Sequence, residues 1–300
     1  MGGVNTMNET IVYNVWHLNA YDFWVLAYFF LGGMGGGSFL VSAISKIYGK
    51  EKYKAIANIG AVSSVILVGL GGLCLLLDLE KPLRVFLLFI NINISSPISW
   101  GGVIISLFFI CTLIYLYYLL IAKNDAKARL WGGIGIVIAI SLTSYTGLLL
   151  GMAKARPLWH SAIMPPLFLI SGSISGLALI LLVANVLGKY SPEDEVMRTL
   201  GKTLVILILI DIFFLSDMYV LYIGLSEAHE VALLLLVGKF AFLFWGVELL
   251  LGSILPVIIL STKSLANTKG GQVFGSLLSL IGVFTMRYLI VIIGQYYPLS

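Results

Sequence analysis

Runs of about twenty apolar residues recur along the 300-residue sequence, and each can cross a hydrocarbon layer about 30 Å thick. Eight are delimited: residues 21–46, 55–77, 98–122, 131–151, 161–187, 200–223, 231–261 and 272–294. Hydrophobic residues make up 60% of the chain and charged ones 11%, with a mean hydropathy of +1.04. A water-soluble domain of that composition could not cover its surface with polar groups. The runs are unbroken rather than alternating, which predicts helices and not the strands of a barrel. No cleavable leader is expected, because the first sixteen residues hold no lysine or arginine and the first apolar run is longer than a signal h-region. The predicted fold is an all-α integral membrane protein of eight transmembrane helices.

Apart from Lys239 and Arg287, which lie within spans, the eighteen basic residues divide unevenly between the two faces. Lys46, Lys50, Lys52, Lys54, Lys123, Lys127, Arg129, Lys189, Arg198, Lys202, Lys263 and Lys269 fall on one, and only Lys81, Arg84, Lys154 and Arg156 on the other. The positive-inside rule puts the first face in the cytoplasm and both termini outside, in a multi-pass protein of the cell (cytoplasmic) membrane. The net charge of +4 reflects this bias. It says nothing about nucleic acid; from the apolar spans, the expected surroundings are membrane lipid, with no nucleic-acid partner.

Eight spans divide into two four-helix bundles, residues 1–153 and 154–300, with 154–166 as the joint. The first span carries Gly32, Gly33, Gly35, Gly36 and Gly37. Lying inside an apolar helix with no lysine after them, these are no phosphate loop. Their spacing suits close helix packing, or bare backbone against which a flat ring can lie, with Gly33 the candidate.

Metal chemistry finds little support. Cys74 and Cys111 sit in separate apolar runs, whereas an iron–sulfur cluster needs about four thiolates. His17, His160 and His229 all fall at or beyond span ends, so no pair can clamp a haem within a bundle. No ligand spacing suits zinc. The expectation is no haem, no iron–sulfur cluster and no metal in this chain.

A different set gathers at the outer ends of the first four spans. Asn19 and Asp22 open the first span, Asp78 and Glu80 close the second, and Arg156, Trp159 and His160 follow the fourth. Tyr145 lies six residues inside the end of the fourth, about 9 Å deep at 1.5 Å per residue. A quinone headgroup needs donors for two carbonyl oxygens, an apolar surface for its ring and a route for protons. Tyr145 and Asn19 can donate, and Asp22, Glu80 or a histidine such as His160 can exchange protons. The connections 78–97 and 151–165 keep acid, base and aromatics together, as binding loops do. Deeper charges form a second group, for intramembrane ionisable groups are costly and usually paired or functional. Asp217, Lys239 and Arg287 are placed to neutralise one another, while Asp211 and Glu248 can relay protons inward.

The segments FWVLAYFFLGGMGGGSFL, DLEKPLRVF, SPISWG, YTGLLLGMAKARPLWHSAIMP and MRYLIVIIGQ occur in the order seen in NrfD-like membrane subunits, of the polysulfide-reductase anchor type, and the chain resembles that family over nearly its whole length. The resemblance implies a quinone-reactive, haem-free subunit that serves menaquinone or another quinone. It implies a ferredoxin-like iron–sulfur partner and a molybdopterin catalytic subunit on the outer face. Asn19 and Tyr145 match positions at the quinone headgroup, Glu80 a nearby carboxylate, and Arg287 an arginine of the last span. Asp22 stands where a histidine is familiar, and His160 where an asparagine is. Two other readings remain: a proton or ion transporter using Asp211, Lys239, Glu248 and Arg287, disfavoured because the spans look continuous apart from Pro256, and a passive anchor for a soluble enzyme.

Overall fold

The computed structural model describes residues 21–49, 51–79, 97–154, 156, 158–224 and 226–295. Among them eight helical segments are long and apolar enough to span a membrane. Helix α1 runs Phe23–Ile47 and α2 Lys54–Asp78. Helix α3, Pro97–Leu116, ends in a wider π-turn over Tyr117–Ile121. Helices α4, Asp125–Gly151, α5, Met164–Val186, and α6, Glu195–Leu215, follow. Two short helices, α7 (Asp217–Tyr222) and α8 (Ser226–Leu236), precede a thirteen-residue π-helix over Phe242–Ile254. That leads into α9, Leu255–Ser261, then α10, Lys263–Ala266, and α11, Lys269–Gly294.

The helix ends follow local chemistry. The side chain of Asn124 accepts from the Lys127 amide at 3.1 Å, and Thr268 Oγ1 from the Gly271 amide at 3.0 Å, each capping an orphan donor at a helix start. Pro165 and Pro166 sit in the first turn of α5, where proline loses no helical hydrogen bond. After α5 the chain leaves through Gly188 in the left-handed region, φ 61°, a conformation glycine adopts without penalty.

Spans one, five and eight form the interior and are mostly buried. The other five turn most of their surface outward, and the outward side chains are apolar: Ile66, Leu73, Ile110, Val137, Leu209 and Phe242 are all exposed. Such a continuous apolar exterior suits lipid and not water. Helix α5 packs against α1 and α4 as well as α6 and α11. It therefore joins the first four spans to the last three.

The expectation of continuous helices is corrected. The sixth span stops at Leu215 and restarts at Asp217. The seventh begins at Phe242, because α8 ends at Leu236 and residues 237–240 turn before the π-helix. The break is partly tied off internally, with the amides of Gly238 and Phe240 donating to the carbonyls of Leu233 and Leu234, as backbone groups within a membrane require.

Main chains approach most closely through glycine. A Cβ on Gly37 would overlap the carbonyl of Gly172, and one on Gly176 would overlap the backbone of Gly37 and Ser38. These contacts seat α1 on α5 and explain the run of glycines in the first span. Gly37→Ala is expected to cost about 1–3 kcal/mol through overpacking. Gly133→Ala, where a new Cβ meets nothing within 4 Å, should leave the thermal midpoint of the detergent-solubilised protein unchanged.

Candidate functional site

Three phenols collect at the end of the bundle opposite the lysine-rich loops. Tyr145 lies one and a half turns inside the end of α4 and is 5% exposed. It hydrogen-bonds the backbone of Gly101 near the start of α3. A Cβ at Gly101 would stand 2.5 Å from the tyrosine ring, so only glycine lets the phenol lie this close. Tyr28 on α1 is buried, and Tyr21 precedes α1. Tyr145 is within electrostatic reach of both. Partial burial raises the Tyr21 phenol above its ordinary value, so it remains a hydrogen-bond donor at neutral pH.

An aromatic row leads inward from Tyr21. Its ring centroid is 5.5 Å from that of Trp159 and 5.9 Å from that of Phe29, and Phe29 in turn meets Phe168 edge-on at 6.2 Å. Trp159 is 3% exposed. Its indole Nε1 donates to the Ile290 carbonyl at 2.8 Å, in space that a side chain at Gly294 would fill. The Tyr21 amide donates to Gln295 Oε1 at 2.9 Å, and Gln295 Nε2 returns a bond to the Tyr21 carbonyl at 3.1 Å. Arg156 Nη1 donates to the Gln295 carbonyl at 3.2 Å, and its guanidinium lies 5.9 Å from the Trp159 ring. The loop after α4 is thus clamped between the start of α1 and the end of α11.

The other candidates are more scattered. Asp22 is exposed at the start of α1, within electrostatic reach of Asp78 at the end of α2. His160 is exposed, and its Nδ1 lies 3.1 Å from the Gly151 carbonyl. Asn19, Glu80, His17 and most of the 78–97 connection fall outside the described residues. Gly33 faces not an open surface but Arg287: a Cβ there would stand 2.5 Å from Nη2. Sequence reading missed Tyr21, Tyr28 and Gln295. Tyr28 had a signal, since it falls one helical turn before Gly32 on the glycine-bearing side of α1.

Arg287 is fully buried at the junction of α1, α5 and α11. It donates through Nη1 to the Phe29 carbonyl, and through Nη2 to the Phe168 carbonyl at 3.2 Å and Ser171 Oγ at 3.0 Å. Its guanidinium also stacks 4.8 Å from the Phe168 ring. The expected neutralisation by Asp217 is corrected: Asp217 accepts from Ser161 Oγ at 2.8 Å, and Arg287 is in ion-pair contact with no described carboxylate. Helix carbonyls and a π-face supply its negative partners instead. Asp211 is within electrostatic reach of Arg287, and Glu248 of Asp211. Both carboxylates are buried. Asp211 Oδ1, Glu248 Oε1 and Arg287 Nε have no hydrogen-bond partner among the described residues. Glu248 borders a cavity of about 10 Å³ between Leu158, Met218, Leu235 and Met286, near the lower limit for one water. No group of three or more potential metal ligands occurs among the described residues.

Residues 5–298 match the family described as Polysulphide reductase, NrfD. The chain belongs to the NrfD family. It is 30% identical over 305 residues to a polysulfide reductase chain of Wolinella succinogenes, with 94% of each protein covered. It is 25% identical to the Hdr-like menaquinol oxidoreductase integral membrane subunit of Archaeoglobus fulgidus, over 89% of this chain and 68% of that one. A selenate reductase subunit of Mesobacillus selenatarsenatis is 22% identical over 95% of this chain and 75% of its own. In this NrfD protein, Trp159→Phe keeps an aromatic ring but removes the indole donor to the Ile290 carbonyl, which retains its place in the helix ladder. The loss of that one bond is expected to cost about 0.5–1.5 kcal/mol, read as a lowered thermal midpoint relative to wild type.

Proposed function

We propose that this chain is the quinone-reactive membrane subunit of a multi-subunit respiratory oxidoreductase. It exchanges electrons between menaquinone or a related quinone in the membrane and an iron–sulfur partner, with a molybdopterin subunit beyond it. The observation that carries this reading is the buried phenol of Tyr145, held on the Gly101 backbone with Tyr28 and Tyr21 beside it. The relatives' names add support: two are named as parts of a polysulfide reductase and a selenate reductase, and a third is named for menaquinol.

In this reading Tyr145 and Asn19 bind and orient the two quinone oxygens, within the first four spans, residues 1–153. Gly101 holds the Tyr145 hydroxyl in place, and the Trp159, Tyr21 and Phe29 rings give apolar surface beside it. Quinol oxidation releases two electrons and two protons. The electrons pass to the partner's cluster, and Asp22, Glu80 or His160 takes the protons at the outer rim, where water is near. Reduction runs the same steps backward. The partner rests on the connections 78–97 and 151–165, with both termini on that side of the cytoplasmic membrane. Tyr145→Phe removes the donor and keeps the ring, so quinol-linked turnover should fall at least about tenfold, the equivalent of one hydrogen bond of about 1.4 kcal/mol. Assembly with the partner, followed by co-purification, should be normal. Unchanged turnover would remove Tyr145 from the mechanism, and a failure of quinone analogues to bind would leave a passive anchor.

A second reading, proton movement through the last three spans, is favoured by the unsatisfied atoms of Asp211, Glu248 and Arg287 and by the interrupted sixth and seventh spans. The route joins Glu248 to Asp211 and ends at Arg287. Glu248→Gln in proteoliposomes is expected to lower the number of protons moved per electron while turnover is retained. An unaltered ratio would leave Glu248 a structural group.

A further inference from the structure

At the lysine-rich end of the first four spans lies a cavity of about 400 Å³, within the range of roughly 300–1,000 Å³ typical of small-ligand sites. The end of α1, the start of α2, the π-turn after α3 and the start of α4 enclose it. Lys46, Lys54, Lys123 and Arg129 supply four positive charges to its lining, and Glu51 and Asp125 two negative ones. The acids are already engaged. Asp125 accepts from Lys46 at 2.5 Å, and Glu51 pairs with Lys54 at 3.6 Å.

Two cations are left over. Lys123 and Arg129 form no ion pair with a described residue, although Arg129 is within electrostatic reach of Asp125, and both border the same cavity. Lys123 is also held in the left-handed backbone region, φ 48°, a conformation that side chains other than glycine, asparagine and aspartate rarely take. It lies two residues past the end of the π-turn, and such turns are frequent at functional sites. The rest of the lining is partly apolar, from Leu119, Leu120 and Ala57. Beside it Tyr117 and Ile121 are exposed on the outward face of the span.

We propose that this cavity is a binding site for the phosphodiester headgroup of an anionic phospholipid. Lys123 and Arg129 meet the phosphate oxygens, Arg129 through its planar fork. The glycerol and upper acyl chains lie along Leu119, Leu120 and the exposed π-turn. The surplus of two positive charges matches one or two phosphodiesters. The ends of the spans set the cavity at headgroup depth, where lipid is the solvent, and basic pockets between transmembrane helices hold anionic headgroups by the same physics. A free phosphate ion would use the same two cations but gain nothing from the apolar wall. The proposal does not depend on the quinone reading, since the cavity is at the opposite end of the bundle from Tyr145.

The test compares the full-length protein in nanodiscs of phosphatidylcholine alone with nanodiscs that also contain phosphatidylglycerol or cardiolipin. The readouts are thermal midpoint and the phospholipid retained after detergent exchange, counted by native mass spectrometry. Wild type should retain an anionic lipid and melt higher in its presence. K123Q with R129Q, two exposed positions whose exchange threatens no packing, should lose both effects, with affinity down at least about tenfold, the loss of one charge-assisted contact. A control pair on the same face, K189Q with K263Q, should keep them. Equal retention by the double variant would overturn the site. So would an equal loss in the control pair, which would mean general attraction to a basic face. A midpoint raised as far by inorganic phosphate in phosphatidylcholine nanodiscs would assign the cavity to a soluble anion instead.

Discussion

Helices in lipid gain nothing by hiding apolar side chains from one another, because the surrounding tails are as apolar as leucine. What holds this molecule together is close approach of main chains, and close approach requires that side chains be missing. Gly37, Gly172 and Gly176 seat α1 on α5, and Gly252 and Gly282 seat the π-helix on α11. Residues whose side chains would be buried in a soluble protein point outward here. The three spans richest in such contacts, or enclosed by them, are the interior, and everything else is arranged around them.

That close-packed interior contains a full positive charge. Arg287 is tolerable because the three helices meeting at it each contribute: α1 a carbonyl and the gap at Gly33, α5 a carbonyl, a hydroxyl and the Phe168 ring, and α11 the arginine itself. The carbonyls of Phe29 and Phe168 act as fixed partial negative charges in a medium of low dielectric. The same residue ties the two halves of the chain together, and the aromatic row from Trp159 to Phe168 runs from the tyrosine cluster to it. A single intramembrane cation therefore connects the candidate quinone end with the buried carboxylates of the later spans. The unsatisfied oxygens of Asp211 and Glu248 are the cost that this arrangement leaves visible.

Much of this was readable residue by residue. Each span exists because about twenty apolar residues in a row have only one way to satisfy their backbone in lipid, so length and composition sufficed for all eight. Tyr145 and Trp159 stood out because a polar aromatic near a span end is conspicuous against leucine and isoleucine. Tyr28 did not, since its place within FWVLAYFFL looks like ordinary packing until Tyr145 is seen beside it. The break at residues 237–240 was equally hidden. Gly238 and Lys239 dent the apolar run there, but a lone glycine and lysine also fit a continuous span, and only the hydrogen-bond pattern distinguishes a turn followed by a π-helix from one continuous helix.

By itself the sequence determined that the protein is helical and membrane-embedded, which loops are basic, and which family pattern it follows, because these depend on the kind and spacing of residues along one dimension. Tertiary structure decided which glycine faces which helix, that Gly33 receives a guanidinium instead of lying bare, and that Arg287 is answered by carbonyls and not by Asp217. Those outcomes depend on how helices rotate about their own axes when they pack. Rotation is set by contacts between residues far apart in sequence, such as Arg287 with Phe29, which no local pattern encodes.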